Sequence, residues 1–234
     1  MAKSKKGLRK VLFAHSAGPQ YGRGKGSYDL VMYLKSKLSG EFEIHFPVIE
    51  KPRLPTYEKF KKMFGWAFAA ITEPVILIGH SLGGSTLLKY LSEERPAIAA
   101  SALFLISTPH WKSDMNEFEL KTNFQAFLKD IPAVFLYHSK NDTEVPFENL
   151  KFYKGAFKTA IVRELPGKEH IFSNGLPELV TDIKSLPQQG KSHSLYCIGT
   201  CNIVYRFVLS SIFRSLSNGL LVKGYTICFK YPLG

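Results

Sequence analysis

The chain has 234 residues, 31 Lys plus Arg against 19 Asp plus Glu, 45% hydrophobic and 13% aromatic residues, and three cysteines. That much apolar sequence excludes a disordered chain, and so few cysteines exclude a disulfide-stapled scaffold. A chain of this length buries roughly 70% of its unfolded surface, enough for one full core with an appendage.

The net charge of +12 would by itself suggest a polyanion or an anionic membrane as partner. Its distribution argues otherwise. Residues 1–10 hold five bases and no acid, and residues 187–234 hold five bases and no acid, which leaves 21 bases against all 19 acids for residues 11–186. The excess is terminal, so no nucleic-acid partner is expected. Cys197, Cys201 and Cys228 also lie in the last segment. With only His193 near the Cys197–Cys201 pair, no zinc site is expected.

The apolar run at residues 11–14 is too short for the core of a secretory signal and reads as a first strand, so a cytoplasmic location is the default. No transmembrane segment is expected, because Arg206 and Arg214 interrupt the most apolar window, 198–222.

In chain order, strands are predicted at 11–15, 42–46, 75–79, 102–107, 133–138 and 161–165. Helices are predicted between and after them at 28–38, 57–71, 85–92, 147–157 and 178–186. This alternation predicts an α/β fold: one mostly parallel central sheet of about six strands, flanked by helices on both faces. Residues 75–79, apolar without alternation, read as a central strand. Residues 109–130 exceed a usual connection and hold Trp111, Phe118, Phe124 and Phe127, which suggests a small cap. The organisation predicted is a basic extension at 1–8, one domain at 9–186 and a basic, acid-free extension at 187–234.

The strongest chemical signal is Gly79-His80-Ser81-Leu82-Gly83-Gly84, which follows a buried strand and opens a helix. A sharp strand-to-helix turn holds Ser81 Oγ above the strand, and the helix start offers the Leu82 N–H to a developing oxyanion. A serine needs a base and an orienting acid to act as a nucleophile. Asp142 follows the fifth strand, with Glu144 as its nearest substitute, and His170 follows the sixth. His15, His80, His110 and His138 are the competing histidines. The loop after the first strand, His15-Ser16-Ala17-Gly18, is expected to supply the second oxyanion donor from Ala17, with Ser16 as the alternative.

Residues 22–27, Gly-Arg-Gly-Lys-Gly-Ser, fail the dinucleotide pattern at Ser27 and the phosphate-loop pattern at Pro19 and Gly26. A flexible loop beside the site, with Arg23 and Lys25 able to meet an acidic substrate group, is expected instead.

The segments VLFAHSAG, GHSLGG, YHSKNDTEVPF and GKEHIF resemble the α/β-hydrolase superfamily, and within it the small single-domain serine hydrolases that include retinoblastoma-binding protein nine and related bacterial hydrolases. The resemblance covers about residues 9–186. It implies a single-domain α/β-hydrolase with Ser81, Asp142 and His170 as catalytic residues and a cap, where present, after the fourth strand. Ser16 stands where the wider superfamily usually has Gly.

The function expected is that of a serine hydrolase needing no cofactor or metal, acting on a small-molecule ester of small or medium acyl length. Amide, thioester and peptide hydrolysis would use the same residues, and a non-catalytic binding module is the rival from another class. Ser16, Trp111 and Phe118 are the candidates to line the substrate pocket. The 48-residue tail is expected to be sequence added by translation beyond the family's usual end, in preference to a docking or membrane-associating segment.

Overall fold

Six short runs of β-branched and aromatic residues pair into one parallel sheet, because each is separated from the next by a helix or long loop that returns the chain to the same edge. The computed structural model describes residues 7–111 and 117–187. Most of the N-terminal extension, the middle of the expected cap, the three cysteines and the tail expectations lie outside the described residues. No helix among those described is long and apolar enough to cross a membrane.

The strands are β1 (Arg9–Ala14), β2 (Phe42–His45), β3 (Val75–His80), β4 (Ala100–Ile106), β5 (Val134–Ser139) and β6 (Ile161–Leu165), in the order β2-β1-β3-β4-β5-β6. All pairings are parallel. Among the described residues five α-helices accompany them: α1 (Tyr28–Lys37), α2 (Tyr57–Ala69), α3 (Leu82–Glu93), α4 (Glu148–Ala156) and α5 (Pro177–Ser185). The predicted architecture is therefore the observed one. The main difference is α3, which starts at Leu82 rather than at residue 85 because the helix begins directly on the turn that ends β3.

Side chains alternate across each strand, so the sheet carries two cores. Leu12, Leu77, Leu103 and Leu136 pack against α2, α3 and α4, and Val11, Ile76, Phe104 and Tyr137 pack against α1 and α5. All six residues of β3 are buried, as a strand covered on both sides requires. The strand order reverses at β1, where α1 leads to β2 on one side and β3 lies on the other. The loops after β1 and β3 consequently open side by side at the carboxyl edge, the place where open α/β sheets form their ligand crevices.

The described part of 109–130 does not stand off this body. Phe118, Leu120, Phe124 and Leu128 are buried in the α2–α4 core, and the 3₁₀ turn at Phe124–Leu128 packs on α3. Phe127, 46% exposed, lies beneath the Arg95 guanidinium. The aromatic residues expected to line a cap are thus mostly core, because a parallel sheet flanked by helices needs its α3–α4 gap filled.

One polar staple ties α5 to the sheet. Asp182 accepts hydrogen bonds from Tyr137 Oη at 2.5 Å and from Arg163 Nε and Nη2 at 3.0 and 2.8 Å. Removing the carboxylate leaves the buried Tyr137 hydroxyl unpaired, so Asp182→Ala is expected to cost about 1–3 kcal/mol of unfolding free energy in urea titrations, and Asp182→Asn less.

Candidate active site

The turn between β3 and α3 brings three backbones into contact. A Cβ on Gly79 would stand 2.5 Å from Gly84 Cα, one on Gly83 would strike the carbonyls of Ala14 and His15, and one on Gly84 would strike the Thr108 side chain. These approaches require hydrogen in place of a methyl group. They leave Ser81 at φ 52° and ψ −128°, a conformation that strains a residue with a Cβ. The strain is held by two backbone bonds, Ser81 N–H to Ile106 O and Gly84 N–H to Ser81 O, both 2.8 Å. Ser81 precedes the first turn of α3 but its side chain makes no capping bond. Its Oγ instead lies 3.1 Å from His170 Nε2.

The loops carrying Asp142 and His170 are laced together. Lys140 N–H bonds to Leu165 O and Asn141 N–H to Gly167 O, both at 2.9 Å, and Ser139 Oγ donates to Glu169 O at 2.6 Å. These bonds extend the β5–β6 ladder past the ends of the strands and set the two side chains face to face. His170 Nδ1 lies 2.8 Å from Asp142 Oδ2. An ionised carboxylate can only accept, so the imidazole carries its proton on Nδ1 and presents Nε2 to Ser81 as an acceptor.

The Asp142 side chain is fully buried, and its Oδ1 accepts the N–H groups of Glu144 and Val145 at 2.9 Å each. Burial pushes its pKa up, but the hydrogen bonds from His170 and the Val145 backbone outweigh this and hold it down at about 2. Glu144, the expected substitute, supplies a backbone donor while its side chain stays in solvent. Of the competing histidines, His138 donates from Nε2 to Val145 O, His110 stacks on Phe152, and His15 is buried between Phe13 and Phe46. Burial lowers the pKa of His15 to about 4.

The two candidate donors in the loop after β1 differ in their partners. The Ser16 N–H is already given to Ser27 Oγ at 2.9 Å, whereas exposed Ala17 has no acceptor for its N–H among the described residues. Leu82 opens α3, where the backbone N–H has no acceptor within the helix. The pocket expectations fare differently. Ser16 is buried, with its Oγ turned to Ser27 Oγ at 3.1 Å. Phe118 is 1% exposed and presents no surface to a ligand. Trp111 packs on the same core 6.2 Å from the Phe118 ring. Arg23 and Lys25 are exposed on the glycine loop.

A serine hydrolase family model matches residues 35–176, more than half of the chain and a span that includes Ser81, Asp142 and His170. The chain belongs to the serine hydrolase family. No curated relative matches this serine hydrolase. Among solved structures it is similar to the ydeN gene product of B. subtilis, at 18% identity and a TM-score of 0.64 over 77% of this chain and 98% of that one. It is also similar to an α/β serine hydrolase without a lid from Xanthomonas campestris, at 12% identity and a TM-score of 0.54 over 78% and 83% of the two chains. A third likeness is the esterase RhEst1 from Rhodococcus sp. ECU1013, at 13% identity and a TM-score of 0.56 over 77% and 92%. At these identities the likeness establishes the α/β-hydrolase fold.

Sequence reasoning overlooked Ser27, which reads as the end of a glycine loop, and treated His80 only as a competing base. Both are wholly buried beside the site. Their signal is three-dimensional, since their partners lie 11 to 90 positions away.

For this serine hydrolase, the depressed Asp142 pKa carries a stability consequence. The charged form is favoured in the folded state, so its contribution is complete above the ordinary value of 3.8 and is lost as pH falls towards about 2. Asp142→Asn is expected to flatten that acid-side loss: unfolding titrations between about pH 5 and 2 should show the wild type losing its advantage over the variant as pH falls.

Proposed function

We propose that this serine hydrolase is a carboxylic-ester hydrolase for small or medium acyl groups, working through an acyl-enzyme on Ser81. His170 Nε2 takes the Ser81 hydroxyl proton as Oγ bonds to the ester carbonyl carbon. The carbonyl oxygen, now an oxyanion, accepts hydrogen bonds from the Leu82 and Ala17 N–H groups. Asp142 holds the imidazolium by the Nδ1 bond. Collapse breaks the bond to the alcohol, which leaves with the proton from His170 Nε2. Water then attacks the acyl carbon and gives its proton to Nε2, and Ser81 Oγ recovers that proton as the carboxylic acid departs.

The observation that carries this reading is the continuous line of contacts from Ser81 Oγ to His170 at 3.1 Å and from His170 to Asp142 at 2.8 Å. The strained Ser81 backbone supports it, because such strain concentrates where a side chain must be presented for chemistry.

A fluorophosphonate probe should label the wild type at Ser81 and leave Ser81→Ala unlabelled. Hydrolysis of a graded series of p-nitrophenyl esters should be fastest at short to medium acyl length and fall about six orders of magnitude in kcat in Ser81→Ala. An unlabelled wild type would favour the non-catalytic binding module.

A further inference from the structure

The reaction sequence above uses neither His80 nor the 22–27 loop, yet the two meet in a fully buried contact behind the site. Ser27 Oγ lies 2.9 Å from His80 Nδ1, and His80 Nε2 lies 2.7 Å from the backbone carbonyl of His170. That carbonyl can only accept, so His80 carries its proton on Nε2 and offers Nδ1 as an acceptor. The single Ser27 hydroxyl proton therefore goes to Nδ1, and its two lone pairs remain to accept from the Ser16 N–H at 2.9 Å and the Ser16 Oγ–H at 3.1 Å. Burial, with His170 alongside, lowers the His80 pKa to about 3, so the ring stays neutral and the direction of every bond in the chain is preserved at neutral pH.

The glycine loop makes this contact sterically possible. Gly26 sits at φ +49°, and a Cβ there would come 2.8 Å from Pro19 O and 3.0 Å from Ser16 Oγ. Only glycine lets the chain press against Ser16 closely enough to deliver the next residue. The loop thus serves Ser27, and its resemblance to a phosphate cradle is incidental.

We propose that Ser27 and His80 are positioning residues for acyl transfer, one chain of hydrogen bonds that holds the Ser16–Ala17 oxyanion loop and the His170 backbone in register with Ser81. Tying the Ser16 N–H down inside the molecule commits it to Ser27 and leaves the neighbouring Ala17 N–H available, and bonding the His170 carbonyl limits the drift of its imidazole. The proposal rests on the reading of Ser81 and His170 as nucleophile and base. The interactions it serves strengthen in the transition state, so its loss should appear in kcat rather than in KM.

The test uses the full chain, a p-nitrophenyl ester of short acyl length and an alkylboronic acid that mimics the tetrahedral adduct. Ser27→Ala is expected to lower kcat roughly 10- to 100-fold with KM within about twofold, and to weaken boronic-acid inhibition by a similar factor. Ser27→Thr, which keeps the hydroxyl, should restore most of kcat. His80→Gln keeps a donor towards the His170 carbonyl and removes the Nδ1 acceptor, so the Ser27→Ala/His80→Gln pair should lose little more than the worse single variant. If Ser27→Ala does not fold, Ser27→Cys, similar in size and a weak hydrogen-bonding group, carries the same comparison. Unchanged kcat, a loss confined to KM and thermal stability, or fully additive losses would overturn the proposal. Failure of the fluorophosphonate to label wild-type Ser81 would instead overturn the acyl-enzyme reading, so the two failures are read from different experiments.

Discussion

The close approach of three backbones at the β3–α3 turn is the constraint on which the rest of the structure depends. Gly79 lies against Gly84, Gly83 against the end of β1, and Gly84 against Thr108 after β4. These contacts bring the ends of the three central strands and the start of α3 to one point, and they force Ser81 into a backbone conformation that a residue with a Cβ avoids. The strain is sustained because Ser81 and Gly84 are each anchored by a backbone bond to the surrounding structure. The result turns a helix-start serine, whose side chain ordinarily caps its own helix, towards a histidine on another loop.

Around that turn the structure controls where protons reside. Asp142 is kept ionised by hydrogen bonds that outweigh the cost of its burial, and its charge assigns the His170 proton to Nδ1. His80, His15 and His138 are all held towards the neutral form by burial. The neutrality of His80 matters most, because its ring lies 5.3 Å from that of His170 and a positive charge on it would oppose an imidazolium there. Burial thus separates structural histidines, locked to backbone carbonyls or packed among aromatic rings, from the one whose Nε2 faces a hydroxyl.

The two sides of the sheet divide the remaining work. The α2–α4 side is filled by large aromatic and aliphatic groups, including Phe118 and Phe124 from the segment that follows β4. The other side is closed by α1 and α5, with Asp182 stapling α5 to Tyr137 and Arg163. Neither side supplies the chemistry. Each fixes the strand ends from which the chemical loops emerge, which is why loops at the carboxyl edge can hold separations of 2.8 and 3.1 Å.

The sequence by itself determined the order of strands and helices, the parallel sheet with helices on both faces, and the serine turn, because these rest on short-range periodicity and on glycines needed at particular local spacings. It also placed Asp142 and His170 in the loops after the fifth and sixth strands, and a parallel sheet gathers such loops at one edge. Only the tertiary structure decided that Asp142 and not Glu144 meets His170, that the Ser16 N–H is already committed while that of Ala17 is not, and that Phe118 belongs to the core. It alone gave the glycine loop a role, by pressing Gly26 onto Ser16 and running Ser27 through His80 to the His170 backbone. The physical reason is range: periodicity acts over a few residues, whereas a hydrogen bond spanning 90 positions exists only after the sheet has brought its ends together.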